Sequence, residues 1–578
     1  MPDSDNQKIT PKKPGWTEEL SVEKRLLIAF ALMGLVLFLT QYFYPQAAPQ
    51  NSVKPVKEAT AKQAVEPPAA SAAKPADAPA SPTPAAGQIA AAKSELHTID
   101  TDVYKIVFSN HGAVVRSWQL KQYRDGSGKP LELVNSAAAA KTHYPFSLIF
   151  DNQTPSTDLN QALFVARPTA DGLGIDFEYS SGRTTGRKTF RFLKNSYLSQ
   201  VSSEVLENNS PVPHLLAWRG GFGDINAPGS AAGEKTLFFN PSTNKLEEKD
   251  VSAAKNGPVT DSGAFSFAGI EDTYFAAVAL PKNGRSVHIR TLSDSVLLKE
   301  GGSEEARVGV AVGGTGSNQF ALFTGPKDVD LLRRIDPKLE QVVDFGWFSF
   351  IAKPLFLAMH WLNSNYVHNY GWSIVLLTIL INFLLLPLKL SGMKSMRKMS
   401  SLQPQIQAIN EKYKNVGMRD PRKAEQNQEV MDLYKRHGVN PLGAGCMPLL
   451  LQIPFFFAFY KVLSVSIEMR GANWLWVSDL SQPETLAIRI LPLAMIGTQF
   501  FLQKMTPPTP GADPAQQKMM LFMPLVMGFM FYGVSSGLVL YWLTGNLVGI
   551  VQQWFINKSM PLPSPAEPKA SPVIKRKK

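Results

Sequence analysis

The sequence predicts a polytopic α-helical membrane bundle of six spans that carries a large all-β domain outside the cytoplasm. Three observations lead there. Six apolar runs approach the length of a bilayer crossing. Residues 95–335 instead alternate polar and apolar positions between Gly, Asn, Asp and Pro turns, the pattern of antiparallel sheet. Lys and Arg fall unevenly among the loops between the apolar runs, which gives the bundle an orientation.

The chain opens with a polar leader, residues 1–25, ending in Lys24 and Arg25. The first apolar run, 26–44, would be roughly 28 Å long as a helix, and Tyr42, Phe43 and Tyr44 close it like an interfacial belt. Its length favours an uncleaved signal-anchor over a cleaved signal peptide. Residues 45–94 are rich in Ala, Pro, Lys and Ser and read as a disordered linker, because so little apolar area cannot offset the entropy of ordering.

Strands are expected near Val103–Phe108, Ile175–Ser180, Lys188–Phe192, Tyr197–Leu206, Val287–Leu292 and Gln319–Thr324, and their number suggests a large sandwich. The region carries no metal, nucleophile or phosphate-loop motif, and His111 before Gly112 reads as a turn residue. Residues 343–362 suit an amphipathic helix lying in the membrane interface; a kinked first part of the next span is the alternative. Further spans are expected at 371–388, 446–463, 486–502, 519–534 and 537–556, the last two joined by a tight hairpin at Ser535 and Ser536.

The loop 389–445 holds eleven Lys or Arg against five Asp or Glu, and the tail 557–578 ends in four basic residues. Positive charge on the cytoplasmic side then places both termini there and the β domain outside, in the periplasm of a cell with two membranes. Within the loop, Leu402, Ile406, Ile409 and Tyr413 repeat at helical spacing. Asp420, Pro421 and Gly438 punctuate a second helix, giving a charged αα-hairpin. Its basic residues suit anionic lipid, with ribosomal RNA or a nascent chain as a second partner. The lone cysteine, Cys446, excludes an intrachain disulfide and reads as a small buried hydrophobe.

The spans themselves are nearly free of ionisable residues, which argues against an ion-coupled transporter. They do carry amides and hydroxyls: Thr378, Asn382, Gln452, Thr498, Gln499, Thr544, Asn546, Gln552 and Gln553. An unpartnered amide in hydrocarbon costs about 2 kcal/mol or more, so these groups face one another, water or a polar guest. Interhelical contact suffices for most; for Thr378 and Asn382 a hydrated groove is an equal reading. The run 519–534 is short, roughly 24 Å as a helix, which local thinning of the bilayer would accommodate. Met519, Met520, Met523, Met527 and Met530 on it suit either core filling or a surface for varied apolar guests. Pro387, Pro454, Pro492 and Pro524 allow irregular packing.

The stretches "GWSIVLLTILINFLLLPLKLSGMKSMRKMSSLQPQIQAI", "VNPLGAGCMPLLLQIPFFFAFYKVL", "DPAQQKMMLFMPLVMGFM" and "SSGLVLYWLTGNLVGIVQQW" together resemble the membrane core of the YidC/Oxa/Alb insertase family, in the Gram-negative form with a large periplasmic domain. The resemblance implies a five-helix core over 371–556 around a hydrophilic groove, a β-supersandwich, and an inner-membrane location. It implies a non-enzymatic insertase and chaperone with no cofactor or small-molecule substrate. It would serve nascent membrane proteins, alone or beside the Sec translocon. Groove positions carried over are Thr378, Asn382, Gln452, Phe456, Tyr541 and Trp542. Asn382 stands where the family pattern usually has arginine, so the groove is expected to lack that charge. The rival readings are a polytopic transporter and a membrane-anchored periplasmic carbohydrate-binding or carbohydrate-modifying protein.

Overall fold

The computed structural model describes residues 88–151, 153–225, 230–282, 285–297, 304–314, 316–413, 420–438, 447–506 and 514–559. The leader, the signal-anchor, almost all of the linker, Cys446 and most of the basic tail lie outside these residues. The chain divides into two compact units at Val342/Val343.

The first unit is all-β in its core. Strands form where the sequence alternates: Tyr104–Ser109 and Leu198–Glu207 are shifted by one residue from the alternation, and Gly174–Ser181, Thr184–Phe192, Val287–Leu297 and Ser317–Pro326 run longer than it. They assemble into sheets of eleven, five and four strands. In the largest, Thr184–Phe192 pairs antiparallel with Leu198–Glu207, which pairs in turn with Ser317–Pro326 far along the chain. The register places Phe190, Val201 and Phe320 side by side on one face. Both smaller sheets pack on that face. Phe108 of the four-stranded sheet lies 4.8 Å from Phe190, ring to ring. Leu216, Trp218, Val310 and Val312 of the five-stranded sheet close over Ala268, Ile270 and Phe320. Fully buried Trp118 sits where the three sheets meet, against Phe146, Phe192 and Trp218.

This core also encloses charge. The Lys188 ammonium donates to the carbonyls of Gly112, Ala113 and Phe146 at 2.8, 3.2 and 2.8 Å. Its burial lowers the lysine pKa to about 7. Arg307 pairs with Glu234 at 2.8 Å, and Lys327 with Glu271 at 3.0 Å; all four side chains are buried. Burial pushes both carboxyls upward against the pull of their cations. His111 is exposed, bridged to Leu163 beside Gly112 at φ +72°, as a turn residue would be.

The second unit is helical. Helix α1 is Ser349–Leu362, α2 Tyr370–Leu384 and α3 Leu386–Ser401. Helices α4 and α5 are Gln403–Lys412 and Arg422–Arg436. Met447–Val465 is α6, Ile490–Met505 α7, Pro514–Phe531 α8 and Ser536–Ser559 α9. Among the described residues no single helix is long and apolar enough to cross a membrane. Ser349–Val367 and Tyr370–Leu384 meet the criterion together, but are bent by 117°. That bend separates α1 from α2. The Asn369 side chain caps α2 by accepting from Trp372 N at 3.2 Å. The apolar run expected at 371–388 is divided: α2 ends at Leu384 and α3 starts at Leu386 with Pro387 in its first turn. Proline fits an N-terminal turn, where its missing N–H is not needed.

Helix α9 packs on α2 and α7, α7 on α8, and α1 on α6. Tyr532–Ser535 make the expected tight connection between α8 and α9. Arg489, just before α7, donates to the Tyr532 carbonyl and lies over its ring, tying the start of α7 to the end of α8. Gly528 permits the close approach of those helices: a Cβ there would meet Ile496 Cγ1 at 2.1 Å. The hairpin α4/α5 is closed by Met399, Leu402, Ile406 and Tyr434, with Val430 and Leu433 against them. Asp420 accepts from Arg422 N at 3.0 Å, and Gly438, at φ +62°, ends α5. The turn between the two helices lies outside the described residues.

Candidate functional site

The six expected groove residues fall into two groups. The first is polar and lies where α2, the start of α3 and α9 converge. Thr378 is fully buried, and its hydroxyl donates to the Ile374 carbonyl at 2.6 Å. One turn later Asn382 is half-buried, and its Nδ2 donates to the Thr378 carbonyl at 2.8 Å. The Asn382 Oδ1 accepts from Lys389 Nζ at 2.7 Å. Gln552 of α9 completes the cluster: its Nε2 donates to the Asn382 carbonyl at 3.1 Å, and its Oε1 accepts from Lys389 at 3.4 Å.

The Thr378 hydroxyl thus donates within its own helix turn. Asn382 itself brings no charge, but a cation lies beside it. Lys389 lies seven residues on, past the break at Leu385, and returns a cation to the amide. A spacing of seven is two helical turns and stays on one face, so the pair was visible in the sequence once Lys389 was read as part of the span's end.

The second group is aromatic. Phe456 of α6 packs edge-on against Trp542 of α9 at 5.1 Å and Phe531 of α8 at 6.2 Å. The Trp542 Nε1 donates to Gln499 Oε1 of α7 at 3.2 Å. Tyr541 stacks on Phe459 with centroids 4.3 Å apart. Rings from α6, α8 and α9 thus meet, and among the described residues the Gln499 amide of α7 bonds to them. Gln452 lies on α6, but its side chain is outside the described residues, as are those of Met519, Met520, Met527 and Met530. Of the remaining polar residues, Asn546 joins α9 to α7, its Nδ2 donating to the Met495 carbonyl and to Thr498 Oγ1 at 3.2 and 3.3 Å, whereas Thr544 and Gln553 donate within α9, to the Leu540 carbonyl and Asn557 Oδ1.

The outer faces of these helices are apolar. Leu380, Phe383 and Leu384 of α2 are exposed, as are Phe522, Leu525, Val526 and Phe529 of α8. Large hydrophobic side chains thus lie outward on α2 and α8, while Thr378, Thr544, Asn546, Gln552 and Gln553 are buried. Among the described residues no cluster of His, Cys, Asp or Glu could hold a metal ion. The buried carboxylates of the β unit are engaged: Glu234 by Arg307 and Val308 N, Asp272 by Tyr274 N and Phe275 N, Asp294 by Arg219 and Gly220 N.

Two family models match the chain in succession. Residues 96–358 match the family described as YidC periplasmic domain, and residues 361–563 that described as 60Kd inner membrane protein. The chain is 35% identical over 569 residues to membrane protein insertase YidC of Geotalea daltonii, covering 93% of this chain and 100% of that one. It is 36% identical over 562 residues to membrane protein insertase YidC of Pelobacter propionicus, covering 93% and 99%. A crystal structure of an active YidC insertase with its first transmembrane domain resolved aligns at 19% identity and a TM-score of 0.35, covering 81% of this chain and 95% of that one. The chain belongs to the YidC family of membrane protein insertases.

Proposed function

We propose that the protein inserts and helps fold integral membrane proteins by passing their polar segments along the inward strip that includes Asn382, Lys389 and Gln552, while apolar segments leave sideways into lipid. It sits in the inner membrane, with six spans, both termini in the cytoplasm and the β unit in the periplasm. The observation that carries this reading is the combination of a polar cluster between α2, α3 and α9 with exposed apolar side chains on α2 and α8. A guest there exchanges water for amide and ammonium partners, which lowers the cost of leaving bulk solvent.

The aromatic group at Phe456, Tyr541 and Trp542 offers apolar, edge-rich contact to an emerging helix. Helix α1, with buried Ala352, Leu355, Phe356 and Met359 and exposed Phe350, Leu357 and Trp361, suits the interface. The α4/α5 hairpin, the α3 basic residues and the tail are the surface for anionic lipid, for ribosomes and for partner machinery such as the Sec translocon. The action requires no covalent chemistry and no cofactor.

The test is depletion of the protein in living cells followed by protease mapping of small, newly made membrane proteins. Their polar ends are expected to stay protease-inaccessible on the outer side. Normal translocation of those ends after depletion contradicts the proposal.

A further inference from the structure

Arg397 of α3 is only 7% exposed, although its guanidinium always carries charge and N–H donors. One nitrogen is engaged: Nη2 donates to Asn557 Oδ1 of α9 at 2.5 Å. Nε and Nη1 are buried and, among the described residues, have no hydrogen-bond partner. Unpaired buried donors are costly, and a buried cation without a counter-charge is more so. The buried Arg307 shows the contrast, matched by Glu234 at 2.8 Å. Arg397 therefore calls for an anionic acceptor from outside the chain. Its mount is fixed: Asn557 Oδ1 also accepts from Gln553 Nε2 at 2.9 Å, and Asn557 Nδ2 donates to the Met505 carbonyl at 3.1 Å. The end of α7 and the end of α9 thus meet α3 at this point. None of the three helices contains Asp or Glu. Lys394 and Lys398 of α3, Lys504 of α7 and Lys558 of α9 are exposed.

We propose that Arg397, held by Asn557, is a phosphate-binding site that takes the headgroup of an anionic phospholipid at the junction of α3, α7 and α9. This rests on the membrane placement proposed above and gives its anionic-lipid surface one specific seat. The level of the site favours a lipid as the source of the phosphate. Trp554 and Phe555, one turn before Asn557, are exposed, and Lys558 Nζ lies over the Trp554 ring at 5.4 Å. An exposed aromatic pair followed by a lysine at the end of an apolar helix marks a headgroup boundary. A basic pocket between helix ends at that depth suits a lipid phosphate. Guanidinium and phosphate oxygens make charge-assisted bonds of the stronger class. The four exposed lysines disfavour a zwitterionic headgroup, whose own ammonium would face them, and so select an anionic one.

The test titrates the full-length protein, in a neutral detergent, with phosphatidylglycerol, with phosphatidylcholine of the same chains, and with inorganic phosphate, reading binding by calorimetry. Wild-type protein is expected to bind one phosphatidylglycerol roughly tenfold more tightly than phosphatidylcholine, the worth of one hydrogen bond to a charged group, and inorganic phosphate more weakly still. Arg397→Gln should bring the two lipids to about equal affinity, whereas Lys398→Gln, at an exposed position, should change their ratio by no more than about twofold. Without lipid, Arg397→Gln should melt at or above the wild-type temperature, because it removes unpaired buried donors. A lipid preference that survives Arg397→Gln overturns the proposal. So does an equal loss in Lys398→Gln, since diffuse charge then attracts the lipid. Inorganic phosphate that binds as tightly as phosphatidylglycerol overturns the lipid assignment. A lipid-free Arg397→Gln that melts well below wild type overturns it too, because the guanidinium then has its partners within the chain. No substrate protein enters these measurements, so their failure leaves the insertase reading standing, and failure of the depletion experiment leaves this site standing.

Discussion

At position 382 an amide is held on both sides, donating to its own helix turn and accepting from Lys389. Leucine there would leave the ammonium with one distant amide and make the strip apolar. Asn382→Leu is expected to reduce insertion of substrates with polar tails by about tenfold while the protein remains folded. Complementation of a depletion strain measures it, and full complementation rejects the role. A second residue-scale prediction concerns Lys188. Its pKa is 10.5 in ordinary surroundings and falls to about 7 in the core. Between those values the unfolded chain binds more protons than the folded one, so stability rises with pH from about 7 to 10.5. Lys188→Met should remove that rise, read as the pH dependence of amide-exchange protection in strand Thr184–Phe192. Retention of the full slope would show that another group produces it.

Among elements, the strands were legible because alternation is local and each face reports its own burial; Thr184–Phe192 buries alternate residues through its length. Their order was not, since the pairing of Leu198–Glu207 with Ser317–Pro326 joins segments more than a hundred residues apart, which no local pattern encodes. In the helical unit apolar runs marked the helices, but the break at Leu385 was read through, although Pro387 signalled it. A span boundary at 388 leaves Lys389 in the loop and outside the polar cluster. The aromatic group was legible only in part: Phe456 and Trp542 were expected, whereas Phe531 and Gln499 join them through tertiary packing. The contact of α7 with α8 depends on the absence of a side chain at Gly528. Gly528→Val is expected to force those helices apart and cost about 1–3 kcal/mol, as overpacking does. A lowered melting temperature in detergent, with little change for the exposed Phe529→Val, is the outcome that checks it.

For the molecule as a whole, the division at Val342/Val343 separates two units with their own cores. The polar strip and the aromatic group belong entirely to the second. Removing residues 95–335 should therefore leave most insertion activity, measured by complementation, whereas an anchored carbohydrate-binding protein would lose its function with that unit.

The central claim is that water reaches the inward strip at Asn382. Cys446 is the only cysteine in the sequence, so Cys446→Ser provides a thiol-free background in which Asn382→Cys can be placed. In intact membranes a charged, membrane-impermeant maleimide is predicted to label that thiol from the cytoplasmic side, and a lipid-facing control at Phe383 should resist it. Labelling of position 382 only after the membrane is dissolved would mean a sealed helix contact, and would contradict the account.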